Sequence, residues 1–203
     1  MPTGFSTNCL SVINHDILYD CSTLDVKGFA TEGVIVNRND IDYPSFTSVA
    51  SGSPDVDNFP MKTGTKGYKI QQPNVDPFNG SQVEMNAGTY YNTFNKTIQF
   101  VMMADSWSDF NAQGLANGEY VIILRKKRIA TNAAPATYDY LIFGLDCGLK
   151  VTEMVKDYYS DDAHGAWVVT MVEEGAPVPV RKLFSTTPGG QETILESLLE
   201  VAE

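Results

Sequence analysis

The residue types that most often carry out chemistry are scarce in this chain. Two histidines, His15 and His164, and three cysteines, Cys9, Cys21 and Cys147, are the whole supply of those types. The densest cluster is "SDDAHG", residues 160–165. There Asp161, Asp162 and His164 could hold a divalent cation or form an acid/base pair. Asp and Gly are also what a polar hairpin turn requires. A cluster with no second set of ligands rarely makes a site, so the turn is the simpler account. Cys147 could act as a nucleophile only with a histidine beside it in space. In "GLDCGL" it suits packing between strands. No cysteine sits in a C-x-x-C pair, and an odd number closes no disulfide framework.

Motifs that place a nucleophile, a metal or a phosphate are missing. The chain has no G-x-S-x-G, H-E-x-x-H, Walker A, G-x-G-x-x-G or EF-hand pattern. These absences predict a protein with no enzymatic activity, no cofactor and no required metal.

One further cluster is basic. "LANGEYVIILRKKR" ends in Arg125, Lys126, Lys127 and Arg128, in a chain of formal charge −11. Strand alternation sends Arg125 and Lys127 to one face and Lys126 and Arg128 to the other. A groove for single-stranded nucleic acid would favour one-sided charge with interleaved aromatics. Charge on both faces suits a protruding hairpin tip. The 25 acidic residues, among them Glu192, Glu196, Glu200 and Glu203, offer such a tip partners on a neighbouring copy. The same acidic balance argues against a general nucleic-acid binder.

The elements that must position these residues are mostly strands. "EYVIILRKKRI" is apolar on both faces at its start, as a central strand covered on both sides would be. "YDYLIFGLD" repeats the pattern and pairs with it as a hairpin. "GLKVTEMV", "AWVVTMVEE" and "VPVRKLF" continue what reads as an antiparallel meander. Gly144 and Gly148 mark a bend, and Pro179 assigns the last strand to an edge. "GFATEGVIVNR", "KGYKIQQ" and "TYYNTFNKTIQFVMM" are strands of the N-terminal half. A short helix over 106–117 carries Trp107, Phe110 and Leu115 on one face, with Ser106 and Asp109 in a capping-box arrangement. A second helix, near 193–203, opens on Thr193 and Glu196 and carries Ile194, Leu195, Leu198 and Leu199 as an apolar stripe. Being short, it must dock on its own domain or on a neighbour. The core is expected around Trp107, Tyr120, Ile122, Phe143, Trp167 and Val169.

Length and composition fit one domain over 1–203, with 43% apolar residues to build a core. A long loop rich in Ser, Gly, Pro and Asp lies near 44–65. Loops of that length are usually functional or mobile. It carries Phe46 and Phe59, which join Arg125, Lys126, Lys127 and Arg128 as candidates for contact between copies. No stretch approaches the roughly 18 consecutive apolar residues of a membrane span. The N-terminus lacks a secretory pattern, so synthesis in the cytoplasm without export is expected.

The order of these elements resembles structural proteins of tailed bacteriophages. The segments "GFATEGVIVNRNDID", "TFNKTIQFVMM" and "SWSDFNAQGLANGEYVIILRKK" carry the likeness. With "IFGLDCGLKVTEM" and "GAWVVTMVEEGAPVPVRKLF", they resemble most the tail tube type of phages and prophages of gut Bacteroidetes. The likeness spans roughly residues 25–185.

The resemblance implies a mainly β fold: an antiparallel β-sandwich or barrel with one flanking helix, here followed by a short C-terminal helix. It implies a homo-oligomeric ring, rings stacked into a tube, other virion proteins as partners, and no catalytic residues. It places the protein in the virion, made in the host cytoplasm, without a membrane or a sequence-specific nucleic acid. The Ser/Pro/Gly stretch and the acidic terminal helix depart from the pattern and would also suit a tail terminator, connector or adaptor. An alternative from another class is a carbohydrate- or cell-surface-binding β-sandwich, with Tyr90, Tyr91, Tyr158 and Tyr159 as stacking platforms. Ordinary strand and loop packing is the simpler account of those tyrosines.

Overall fold

The computed structural model describes residues 25–49, 53–72, 76–103, 108–128, 140–161, 163–187 and 189–202. Nine strands and two α-helices fall within them. In chain order these are β1 (Asp25–Asn37), β2 (Tyr68–Gln71), β3 (Gln82–Asn86), β4 (Thr93–Met102), α1 (Ser108–Leu115), β5 (Tyr120–Arg128), β6 (Tyr140–Phe143), β7 (Lys150–Lys156), β8 (Trp167–Ala176), β9 (Arg181–Leu183) and α2 (Gly190–Leu199). They form two antiparallel sheets. The first has the order β2-β1-β5-β6-β9 and the second β3-β4-β8-β7. The fold is mainly β, a sandwich with flanking helices.

The two-faced strands explain the layering. Tyr120, Ile122 and Leu124 of β5 and Leu141 and Phe143 of β6 point into the space between the sheets. There they meet Ile98 and Phe100 of β4 and Val169 and Met171 of β8. Val121, Ile123, Tyr140 and Ile142 point the other way. They form a second core with Val34 and Val36 of β1, Leu195 and Leu198 of α2, and Val56 and Phe59. The first sheet is thus the middle layer, as the continuous apolar runs of β5 and β6 require.

Several expectations are corrected here. The C-terminal half is not a simple meander. β6 and β7 lie in different sheets, and β9 returns to the first sheet beside β6. α2 begins at Gly190, so Thr193 lies inside the helix and donates its hydroxyl back to the carbonyl of Gly189. The helix docks on its own chain, where Leu198 is 2% exposed.

The 44–65 segment is folded back rather than loose. Ser48 bridges Val56, and Val56 lies parallel to Leu183 along the outer edge of β9. Hydrogen bonds from Val56 N to Lys182 O (3.0 Å) and from Phe184 N to Val56 O (2.8 Å) hold it there. An edge strand capped in this way is less open to stray pairing. β3 has no counterpart among the sequence expectations. All five of its residues are exposed, so neither apolar alternation nor a buried run marks it.

In the expected core, Tyr120, Ile122, Phe143 and Val169 share the inter-sheet cluster, with Trp167 half-buried at its margin. Trp107 lies outside the described residues. Phe110 is 69% exposed, so its place on an apolar helix face is also corrected. Ser106, the other half of the expected capping box, lies outside the described residues. Asp109 Oδ1 accepts from Trp167 Nε1 and from Lys156 Nζ, both at 2.8 Å, and ties α1 to the β7–β8 hairpin. Those two donors hold its carboxyl below the usual carboxylate range. Among the described residues, no helix is long and apolar enough to cross a membrane.

Candidate functional site

Strict alternation does not divide the basic tip as expected, because the adjacent Lys126 and Lys127 line one cavity while Arg125 turns elsewhere. Arg125 shares the face of Val121 and Ile123. It lies 3.4 Å from Glu192 of α2 and sits over the Tyr140 ring at 5.9 Å. Its acidic partner is therefore within the same chain. Lys126 and Lys127, with Lys27, Phe29, Phe78 and Ser81, line a cavity of about 310 Å³. Arg128 pairs with Asp25 in the β1–β5 register, and the position of its side chain is outside the described residues.

Phe59 is 6% exposed and belongs to the chain's own core, so its ring is not open to a neighbouring copy. The bridges that fold the 44–65 segment onto the first sheet turn it inward. Phe46 packs edge-on against Phe59, with ring centroids 5.4 Å apart, and keeps only part of its surface exposed.

The "SDDAHG" segment forms a turn between β7 and β8. His164 N donates to Ser160 O (3.0 Å), and Ala163 N to Ser160 Oγ (3.1 Å). Asp161 and His164 are exposed, and Asp162 is outside the described residues, as are Cys9, Cys21 and His15. Among the described residues, no group of three or more His, Cys, Asp or Glu could hold a metal.

The four tyrosines are not packed. Tyr90 is 95% exposed, Tyr91 74%, Tyr158 73% and Tyr159 95%. They lie at opposite ends of the second sheet. Phe94 pairs with Ala176 at one end, beside the β3–β4 turn that carries Tyr90 and Tyr91. Met102 pairs with Trp167 at the other, beside the β7–β8 turn that carries Tyr158 and Tyr159. A ten-residue strand separates the two ends by about 30 Å. At the Met102 end an open groove of about 640 Å³ runs between the sheets, lined by Tyr68, Ile70, Phe100, Met102, Phe110 and Tyr120 among others. Gln72 spans the sheets beside it. Its amide donates to Val101 O (2.9 Å) and accepts from Val101 N (2.8 Å).

The most unusual chemistry is buried between the sheets. Lys96 on β4 and Glu173 on β8 face one another in register, both with fully buried side chains. Lys96 Nζ lies 3.0 Å from Glu173 Oε2 and 3.5 Å from Asp146 Oδ2. Glu173 also receives three backbone donors from the turn after β6: Gly144 N (2.8 Å), Asp146 N (3.1 Å) and Cys147 N (2.8 Å). Gly144 makes that turn with φ +87, and a Cβ there would run into the Tyr120 carbonyl. Arg181 clamps Asp146 Oδ1 through Nε (2.8 Å) and Nη2 (2.6 Å), while its Nη1 reaches Pro54 O (2.7 Å). Arg38 closes the outer side, donating to Asp146 O (2.9 Å) and to Glu119 Oε2 (2.9 Å). Burial, then the nearby Glu173 and Asp146 charges, push the Cys147 thiol up, which favours its unreactive protonated form.

No catalytic or metal-binding motif marks this cluster in the sequence, although the strand pattern does. Lys96 falls in the inward phase of Phe94, Ile98 and Phe100, and Glu173 in that of Val169 and Met171. Each puts a charge where the strand pattern asks for an apolar side chain, and the two charges have opposite sign.

No protein-family model, curated protein or solved structure matches the chain.

Proposed function

We propose that the protein is a structural subunit that assembles with copies of itself, without enzymatic activity. The form of assembly suggested by the sequence resemblance is a ring, stacked into the tail tube of a bacteriophage. The observation that carries the reading is the polarity of the second sheet. One end presents the β3–β4 hairpin, with Tyr90 and Tyr91 exposed and Met85 61% exposed behind them. The other end presents the groove beside Phe110 and Met102, where aromatic and apolar side chains alternate with polar ones such as Gln71 and Asn111. A tip at one end and a groove at the other are the parts of a head-to-tail contact, which closes into rings or runs on as a filament. Aromatic side chains and Met are the types enriched in interface cores.

Negative-stain imaging of the purified protein at rising concentration tests the proposal. Rings or tubes are expected. A protein that stays monomeric at every concentration would overturn it. The tail terminator and connector roles share this assembly logic and would show as single rings that do not stack.

A second reading has one observation in its favour. Tyr90 and Tyr159 are almost fully exposed, as stacking platforms for sugar rings would be. Glycan binding by the monomer, lost on Tyr90→Ala or Tyr159→Ala, would favour that reading instead.

A further inference from the structure

We propose that Lys96 and Asp146 condense to an intramolecular amide bond, with Glu173 as the proton relay. The inference is independent of the assembly reading. It starts from an amine and a carboxyl held together out of water. Lys96 has 0% side-chain exposure and Asp146 8%, and Nζ lies 3.5 Å from Oδ2. The fold thus keeps the amine beside the carboxyl, and groups that a fold brings to near-attack geometry reach effective molarities of about 10⁵–10⁸ M, which offsets the unfavourable condensation of amine and acid. A dry surrounding also removes the hydration that in water keeps an ammonium and a carboxylate unreactive toward one another.

Each neighbour has a part in the step. Arg181 binds Oδ1 through two N–H donors, so Oδ2 is the oxygen turned to Lys96. The guanidinium is placed to stabilise negative charge on Oδ1 as the amine adds to the carboxyl carbon. Glu173 Oε2, 3.0 Å from Nζ, takes a proton from the ammonium and frees its lone pair. The amine attacks, the C–Oδ2 bond breaks, and Oδ2 leaves as water with two of the three ammonium protons. The third stays on the amide nitrogen. One cation and one anion become a neutral amide, and Glu173 ends as it began. The remaining charges, Glu173 and Arg181, still balance.

Glu173 is nearer to Lys96 but is the poorer acceptor. Its Oε2 also holds Gly144 N, and its Oε1 holds Asp146 N and Cys147 N. Loss of Oε2 as water would leave a buried N–H without that partner. Loss of Oδ2 from Asp146 leaves the Arg181 clamp on Oδ1 in place. The product would tie β4 of the second sheet to the turn leaving β6 of the first.

The test is the intact mass of the full-length purified protein, measured after denaturation, followed by tandem mass spectrometry of a proteolytic digest. The expected result is a mass one water below that of the sequence, and a branched peptide joining the Lys96 and Asp146 segments. Asp146→Ala and Lys96→Arg should restore the full sequence mass. Glu173→Gln, shown to be folded by circular dichroism, should retain the water. A parent protein at full sequence mass after long incubation in the folded state would overturn the proposal. So would a branch at Glu173, or loss of water in the folded Glu173→Gln protein.

Discussion

Lys96 and Glu173 show how much can depend on two side chains in a small sandwich. Charges removed from water are costly unless they are paired and hydrogen-bonded, and here every oxygen of Glu173 has a donor. Lys96→Met removes the nitrogen that Glu173 Oε2 holds, as ammonium or as the proposed amide N–H, and leaves a buried carboxylate short of a partner, so it should destabilise the fold by about 3–5 kcal/mol. Glu173→Leu should cost more. It strands the ammonium and also orphans the three backbone donors of the turn at Gly144, Asp146 and Cys147. Urea denaturation of both variants checks the order, and a Glu173→Leu protein as stable as the parent would contradict it. Tyr140 supplies a prediction in pH. Burial, then the Glu192 charge, raise its phenol from an ordinary 10.0 to about 12. A group whose folded value is raised contributes stability that is full below its unfolded value and is lost as pH rises through the folded one. The contribution of Tyr140 is therefore complete below pH 10 and gone above about 12. A spectroscopic titration of tyrosinate, compared between the parent and Tyr140→Phe, should show the last-ionising phenol missing from the variant.

At the scale of elements, the helices differ in how firmly they are held. α2 buries Leu195 and Leu198 against the outer face of the first sheet, and Gly67 N donates to the Leu198 carbonyl at 2.6 Å. Leu198→Ala should cost about 2–5 kcal/mol, the range for a buried leucine. Trp167, at the margin of the inter-sheet core, should lose less on change to Ala than the roughly 3–5 kcal/mol of a fully buried tryptophan. Thermal melts of the two variants give the comparison. The same contrast separates what was legible from what was not. β5 and β6 were readable because both of their faces are buried, so the apolar run is unbroken. α2 was readable from its stripe, but its first turn was misplaced, because Gly189 and Gly190 carry no capping side chain. The 44–65 segment read as a loop because it folds by bridges at single residues, with no periodicity to betray them. β3 was invisible because it buries nothing. The charged cluster was missed because the search looked for catalytic motifs, while Lys96 and Glu173 are marked only by breaking the phase of their strands.

For the whole molecule, the proposed hairpin-to-groove contact has a consequence for the salt dependence of assembly. A basic tip seeking acidic neighbours would give assembly that weakens as salt rises. The structure pairs Arg125, one of the four basic residues of the tip, with Glu192 in cis, so that charge already has a partner within one copy. The contact proposed between copies runs instead through the tyrosine hairpin and the groove, on chains that each carry a formal charge of −11. Like-charged copies repel, and salt screens the repulsion to about 8 Å near 0.15 M. Apolar contact itself is not weakened by moderate salt. Assembly through that contact should therefore strengthen as salt is raised, the reverse of what a basic tip seeking acidic neighbours would give. Light scattering across a salt series on three proteins separates the two accounts. The parent should grow in size with salt. Arg125→Glu with Lys127→Glu should stay folded, because Arg125 and Glu192 are each more than a third exposed and such pairs contribute little. It should also keep its ability to assemble. Tyr90→Glu with Tyr91→Glu should remain monomeric at every salt concentration, since both rings are exposed and dispensable to the fold. If the charge-reversed tip abolishes assembly while the tyrosine variant still assembles, contact runs through Arg125 and Lys127, and the hairpin-to-groove geometry is wrong.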